Sequence, residues 1–158
     1  MTVFAGLPAH VLFVHFVVTL IPLTAVLEML CALWPAARQR LVWLVVVLAA
    51  ATLVLTPLTV KAGEWLYDRE QQPGQALQTH AERGAWMIYF SIGLVLVALA
   101  LAAIHRIEGR SDRRPPAART AVALIAVAVG ISSITAVVLT GDSGARAVWG
   151  GELTQADR

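Results

Sequence analysis

The stretch LVWLVVVLAAATLVLTPLTV, residues 41–60, contains no charged side chain. An α-helix of about 20 apolar residues covers about 30 Å, which is the thickness of a bilayer's hydrocarbon core. Three more apolar runs of similar length flank it, at residues 11–33, 84–104 and 120–140. A membrane β-barrel would instead have short alternating segments. The sequence therefore predicts an all-α integral membrane protein whose four helices form an up-down-up-down bundle.

The composition of the chain agrees with this prediction. Of its 158 residues, 58% are hydrophobic and 14% are charged, and the mean hydropathy is +0.73. Ordinary soluble domains are about 45–50% apolar and about 25% charged. This excludes a soluble enzyme, a disordered tail and a nucleic-acid-binding module. The formal charge of +2 gives no basic patch, and the single cysteine, Cys31, allows neither an internal disulfide nor a cysteine-based metal site.

The chain is predicted to be one domain, residues 1–158, without an internal repeat. The expected helices cover about residues 9–34, 41–66, 80–105 and 119–140, with a polar outer loop at 61–83 and a short C-terminal tail at 141–158. Thr79 and Glu82 have the spacing of a capping box, which predicts that the third helix starts there. His80 would then lie in the first turn, where the helix dipole favours a neutral imidazole.

The orientation of the chain is predicted from the basic residues of its loops. The loops after the first and third helices hold seven basic residues: Arg38, Arg40, Arg106, Arg110, Arg113, Arg114 and Arg119. The opposite side holds five: Lys61, Arg69, Arg83, Arg146 and Arg158. Loops rich in arginine and lysine stay in the cytoplasm. Both termini are therefore expected on the extracytoplasmic side of a bacterial inner membrane.

Polar side chains concentrate on this outer side, and they are the candidate site. Three histidines are the candidate cofactor ligands, with four charged residues around them: His10, His15 and His80, then Lys61, Glu64, Arg83 and Asp142. Lys61 and Glu64 have the spacing of a helical ion pair. Asp142 is expected to orient the site by accepting a hydrogen bond from an imidazole N–H.

The two histidines of the first helix are not equivalent. His10 and His15 are five residues apart, about 140° around a helix, so they point to different faces. His15 shares a face with Thr19 and Pro22, and this polar stripe is expected to look into the bundle, because an ionisable group facing lipid is costly. His10 matches His80 in depth better than His15 does. Glu28 is expected near the inner boundary, in contact with water.

Three passages carry a family resemblance: PAHVLFVHF at residues 8–16, Thr79-His80, and TGDSGARAVW at residues 140–149. In this order on a four-helix chain they resemble the bacterial membrane family called domain of unknown function 2231. The resemblance implies a four-helix inner-membrane protein whose histidines gather on one side. Members look like di-histidine carriers of haem, and His10, His15 and His80 match the histidine-bearing positions. The family pattern has histidine where this chain has Asp142, a poor haem ligand.

Two functions stay open at this level. No phosphate-binding glycine loop, metalloprotease helix, nucleophile elbow or Cys-x-x-Cys pair is present, so the chain is not expected to be an enzyme. The first hypothesis is an accessory or structural subunit that contacts the lipid bilayer and either a larger membrane complex or a second copy. The alternative is a redox protein that binds haem b or a metal ion through its outer histidines.

Overall fold

The computed structural model describes the backbone of residues 3–4, 7–110 and 116–156, and the side chains of residues 10, 12–110 and 116–150. Four helices make up the fold: α1 (Ala9–Leu33), α2 (Pro35–Tyr67), α3 (Gln75–Arg110) and α4 (Pro116–Ala156). Two short strands, β1 (Val3–Phe4) and β2 (Leu7–Pro8), pair antiparallel ahead of α1. Arg113, Arg114 and Arg158, which entered the charge count, lie outside the described residues.

The helices form the predicted bundle. Each of α1 and α3 packs mainly on α2 and α4, so the four helices alternate in direction around the bundle and α1 lies diagonally opposite α3. All four are long and apolar enough to cross a membrane. We call the end formed by the start of α1, the α2–α3 connection and the last turns of α4 the histidine end. The α1–α2 and α3–α4 connections form the opposite end.

The helix boundaries differ from the prediction at α2 and α3. α2 already begins at Pro35, directly after the extended residue Trp34, because proline is favoured in the first turn of a helix. α3 begins at Gln75, so the predicted capping box at Thr79 is wrong. The Thr79 hydroxyl donates to the Gln75 carbonyl at 2.9 Å, a contact within the helix. His80 consequently lies in the second turn of α3.

The helices also extend further at the histidine end than predicted. The only non-helical residues between α2 and α3 are 68–74, so most of the predicted loop 61–83 is helix. α4 runs to Ala156 and includes most of the predicted tail 141–158. Asp142 and Arg146, four residues apart, form an ion pair that supports this extension. The long helices carry polar side chains beyond the expected membrane surface.

The bundle core has two layers. Near the histidine end it contains larger apolar side chains, among them Ile21, Met87 and Leu94. Toward the opposite end it contains smaller ones, among them Ala49, Ala98 and Ala126. Small residues let the helix backbones approach closely, which is how helices associate in lipid. The layer next to the histidine end therefore surrounds the base of the candidate site.

Candidate functional site

His10 is held by α2 at the histidine end. Its Nδ1–H donates to the backbone carbonyl of Thr59, at 3.0 Å. One turn later in α2 is Gly63, where an added Cβ would lie 2.9 Å from His10 Cε1. A residue with a side chain at position 63 would displace the ring, because real Cβ atoms do not approach so closely. Thr59 therefore supplies the acceptor that orients the imidazole, and Gly63 supplies the space for it.

His80 is held by α4 in the same way. Its Nδ1–H donates to the backbone carbonyl of Thr140, at 2.9 Å. Four residues further along α4 is Gly144, where an added Cβ would lie 2.9 Å from His80 Cε1. Each histidine thus lies near the start of one helix and is fixed by the next helix in the chain. A local arrangement is repeated in the two halves, which the sequence analysis did not predict.

The two rings meet at the centre of the histidine end. Their centroids are 6.4 Å apart and their planes are inclined by 83°. Since a carbonyl oxygen only accepts, each Nδ1 carries a hydrogen, and each neutral ring keeps its lone pair at Nε2. Burial lowers the pKa of His10 from its ordinary value of 6.5, the hydrogen bond to Thr59 opposes this, and repulsion between protonated His10 and protonated His80 lowers the pKa further. His10 is therefore neutral at pH 7, the form that binds metals.

Two cavities adjoin the rings, and both include His10, Val60, His80 and Gly84 in their walls. The one toward the bundle core is about 90 Å³ and mostly apolar, with valines and Met87. The other opens at the histidine end and is about 410 Å³, within the range of about 300–1,000 Å³ typical of ligand sites. Its wall adds the charged or polar residues Glu64, Tyr67, Arg69 and Glu70. The rings thus lie where an apolar space meets a polar one.

His15 is not part of this arrangement. Its side chain is exposed on the outer surface of α1, as is that of Thr19, so the prediction that their stripe looks into the bundle is wrong. The physical reason is the geometry of the helix. His10 lies on the inward face of α1, and His15 lies about 140° further around the helix, so it points away from the bundle. Of the three predicted ligands, the structure brings His10 and His80 together.

The predicted charged residues have other partners or lie at the rim. Asp142 pairs with Arg146, at 3.0 Å, on the exposed side of α4. The predicted role of Asp142 as acceptor for an imidazole N–H is wrong, because backbone carbonyls fill that role for both rings. Arg83 donates to the Leu139 carbonyl at 2.7 Å. Lys61 and Glu64 are exposed and are not among the ion pairs of the described residues.

Glu28 also differs from its prediction. Its side chain is completely buried, and neither carboxyl oxygen has a hydrogen-bond partner among the residues that the structure describes. It was expected to reach water, since it is 18 residues beyond His10 and near the end of the apolar run. The bundle continues past the depth of Glu28: three residues further along α1, the Cys31 carbonyl accepts from Arg38, which is only 2% exposed and binds both oxygens of Glu108.

Sequence reasoning missed the four residues that support the rings: Thr59, Gly63, Thr140 and Gly144. The signal was present as Thr-x-x-x-Gly in both halves of the chain. Within the part of the chain that the structure describes, no group of three or more His, Cys, Asp or Glu side chains is placed to hold a metal ion.

Comparisons with known proteins place the chain in a family. The family model described as "Predicted membrane protein (DUF2231)" matches residues 6–157, nearly the whole chain. No curated protein and no solved structure matches it.

Proposed function

The chain belongs to the DUF2231 family of predicted membrane proteins, and we propose that it is a redox protein that binds one haem b between His10 and His80. The observation that carries the proposal is the pair of imidazoles, each with Nδ1 committed to a backbone carbonyl and with Nε2 left for a metal. Partners that fix the second ring nitrogen of a ligand are the usual support of a metal-bound histidine.

The spacing of the rings would suit two histidines that hold one metal atom between them. Metal–nitrogen bonds of about 2.0 Å would place the centres of two opposed imidazoles about 6.2 Å apart, and those of two tetrahedral ligands about 5 Å apart. The observed separation is 6.4 Å. Haem iron is commonly held by histidine. His10 and His80 would hold the group, and no third protein ligand would be needed, because the porphyrin itself binds the iron.

The surroundings of the rings suit the two parts of a haem. The cavity toward the core, with Val17, Met87 and Val137, fits the apolar edge of the macrocycle. The cavity at the histidine end contains Arg69, whose guanidinium lies 3.6 Å from the centre of the Trp65 ring. Arg69 can pair with a haem carboxylate, and Glu64 and Glu70 in the same wall carry the opposite charge. When bound, the haem supplies one-electron transfer, and the protein residues hold and orient it.

The test is the absorption spectrum of protein purified in detergent from cells supplied with haem precursor. We expect a Soret band that shifts on reduction, with one haem per chain. His10→Ala and His80→Ala should each remove it. The matched controls are His15→Ala and His105→Ala, at an exposed position of α1 and near the opposite end of α3, which should keep it.

The alternative proposal is an accessory subunit of a larger membrane complex, or a self-associating one, without a cofactor. It predicts that the purified protein has no visible absorption and does not bind added haemin. That result, or loss of the Soret band in His15→Ala as well as in the site variants, would contradict the haem proposal. As to location, we propose a bacterial inner membrane with the histidine end outside the cytoplasm.

A further inference from the structure

A second group of polar side chains lies inside the bundle, away from the histidines. Thr24 and Glu28 are one turn apart on α1, and Ser133 is on α4. All three side chains are completely buried. The Thr24 Oγ1, both Glu28 carboxyl oxygens and the Ser133 Oγ have no hydrogen-bond partner among the described residues. Buried polar groups normally have a hydrogen-bond partner, so these four oxygen atoms require a ligand or water.

The hydroxyls of Thr24 and Ser133 differ from most other hydroxyls of this bundle in having no partner among the described residues. Most other threonine hydroxyls in the described helices donate to the carbonyl four residues earlier, as Thr52 does to Leu48 and Thr59 to Leu55. Thr24 and Ser133 do not take this default partner. The register of α1 and α4 places Ser133 at a depth between those of Thr24 and Glu28, because the Met29 side chain lies over Gly130 and Ser133 follows Gly130 by about one turn. The three buried side chains therefore lie at similar depth inside the bundle.

The charged groups near this region have other partners. On α2, Arg38 donates to the Cys31 carbonyl of α1 and to both oxygens of Glu108 on α3. Arg119 of α4 also pairs with Glu108, at 3.3 Å. His105 of α3 lies with Glu108 and Arg119 in a groove at the opposite end. No ion pair to Glu28 is found in the described part of the chain, and an unpaired carboxylate is costly inside a bilayer.

We propose that Glu28 is a proton-binding site, with ordered water linking its carboxyl to the hydroxyls of Thr24 and Ser133. At the opposite end of the bundle, the Nε–H of Arg38 is a further buried donor without a partner among the described residues, and Arg38 also donates to the carbonyl of Cys31, three residues beyond Glu28. This donor can hold a water molecule on the side from which a proton would enter. This site does not depend on haem binding at the histidine end, so either proposal can fail alone.

Infrared spectroscopy of the whole protein tests the proposal, because the C=O stretch of a protonated carboxyl is separate from the carboxylate bands. At pH 7 we expect one protonated carboxyl per chain that is lost in Glu28→Gln, an uncharged variant of nearly the same shape. Glu108→Gln is the control: Glu108 is paired with two arginines, so the band should remain. Glu28→Asp should keep a protonated carboxyl at a shifted frequency.

Two results would overturn the proposal. A wild-type spectrum without a protonated carboxyl at pH 7 would mean that Glu28 is ionised. A band that disappears as sodium chloride is raised at constant pH would mean that the carboxylate binds a metal cation instead. Both measurements use the wild-type protein, so they remain decisive even if a substitution at position 28 prevents folding.

Discussion

The backbone carbonyls of Thr59 and Thr140 accept equivalent hydrogen bonds in the two halves of the bundle. Each accepts the Nδ1–H of the histidine near the start of the preceding helix, at 3.0 and 2.9 Å. Each is followed four residues later by a glycine that leaves room for that ring. The α1–α2 and α3–α4 pairs thus present equivalent histidines to a common centre. Such a centre suits a ligand with two equivalent faces, and a porphyrin has that property.

The glycines give the first prediction. Gly63→Ala and Gly144→Ala should each weaken haem binding about 10–100-fold, the effect typical of losing a partner that orients a metal ligand. The reason is that the new Cβ would lie 2.9 Å from Cε1 of His10 or His80, so the ring must leave its carbonyl partner. Haemin titration followed by absorption measures the change.

Gly109→Ala is the matched control for these variants. Gly109 is helical, and an added Cβ there has no atom within 4 Å. In a helix, alanine is also more favourable than glycine by about 1 kcal/mol. Haem affinity should be unchanged and the protein slightly more stable. Equal loss of haem affinity in all three variants would contradict the proposed role of Gly63 and Gly144.

Lowering the pH should destabilise the haem-free bundle, because the folded chain resists protonation of His10. Burial lowers the pKa of His10 below 6.5, so below that pH the unfolded chain binds a proton that the folded chain resists. The free energy of unfolding should therefore fall as pH decreases from about 6.5 toward the folded-state pKa, and level off below it. Thermal unfolding of the wild type and of His10→Gln across this range measures the effect. An equally steep pH dependence in the variant would contradict it.

The sequence predicted the fold well because apolar runs of helical length have few alternatives in a membrane protein. It predicted the site in part. The depths of His10 and His80 follow from counting residues, but their partners are backbone carbonyls, which every residue type possesses. The exposed position of His15 depends on which face of α1 packs inward, and α1 is apolar all round. The burial of Glu28 depends on how the helices pack at its depth, and the Arg38–Glu108 contact beyond it joins residues 70 apart in the chain.

Asp142 is predicted to be dispensable for the site. Asp142→Asn should leave haem affinity within about twofold of the wild type, because the carboxylate pairs with Arg146 on the exposed side of α4. An exposed pair of this kind contributes about 0–1 kcal/mol to stability. The same haemin titration measures the affinity. A loss of tenfold or more would mean that Asp142 orients a ligand after all.

The orientation of the chain can be tested at its C-terminus. Because the four helices alternate in direction, the start of α1 and the end of α4 both lie at the histidine end. The excess of arginine in the other loops predicts that this end is extracytoplasmic. A C-terminal alkaline phosphatase fusion, active only outside the cytoplasm, should be active, and a fluorescent-protein fusion that matures in the cytoplasm should be dark. The reverse pattern would place the histidines on the cytoplasmic side.

The last prediction concerns the Arg38–Glu108 pair, which closes the opposite end of the bundle. The Arg38 side chain is 2% exposed and binds both oxygens of Glu108, at 2.9 and 2.7 Å. Glu108→Ala would leave a buried guanidinium without its counter-charge, at a cost of about 3–5 kcal/mol. Arg119→Ala, which removes a half-exposed partner of the same carboxylate at 3.3 Å, should cost about 0–1 kcal/mol. Thermal unfolding in one detergent compares the two, and replacing Arg38 and Glu108 together with Met should recover much of the loss. Equal effects of the two single variants would show that burial of Arg38 does not determine the strength of the pair.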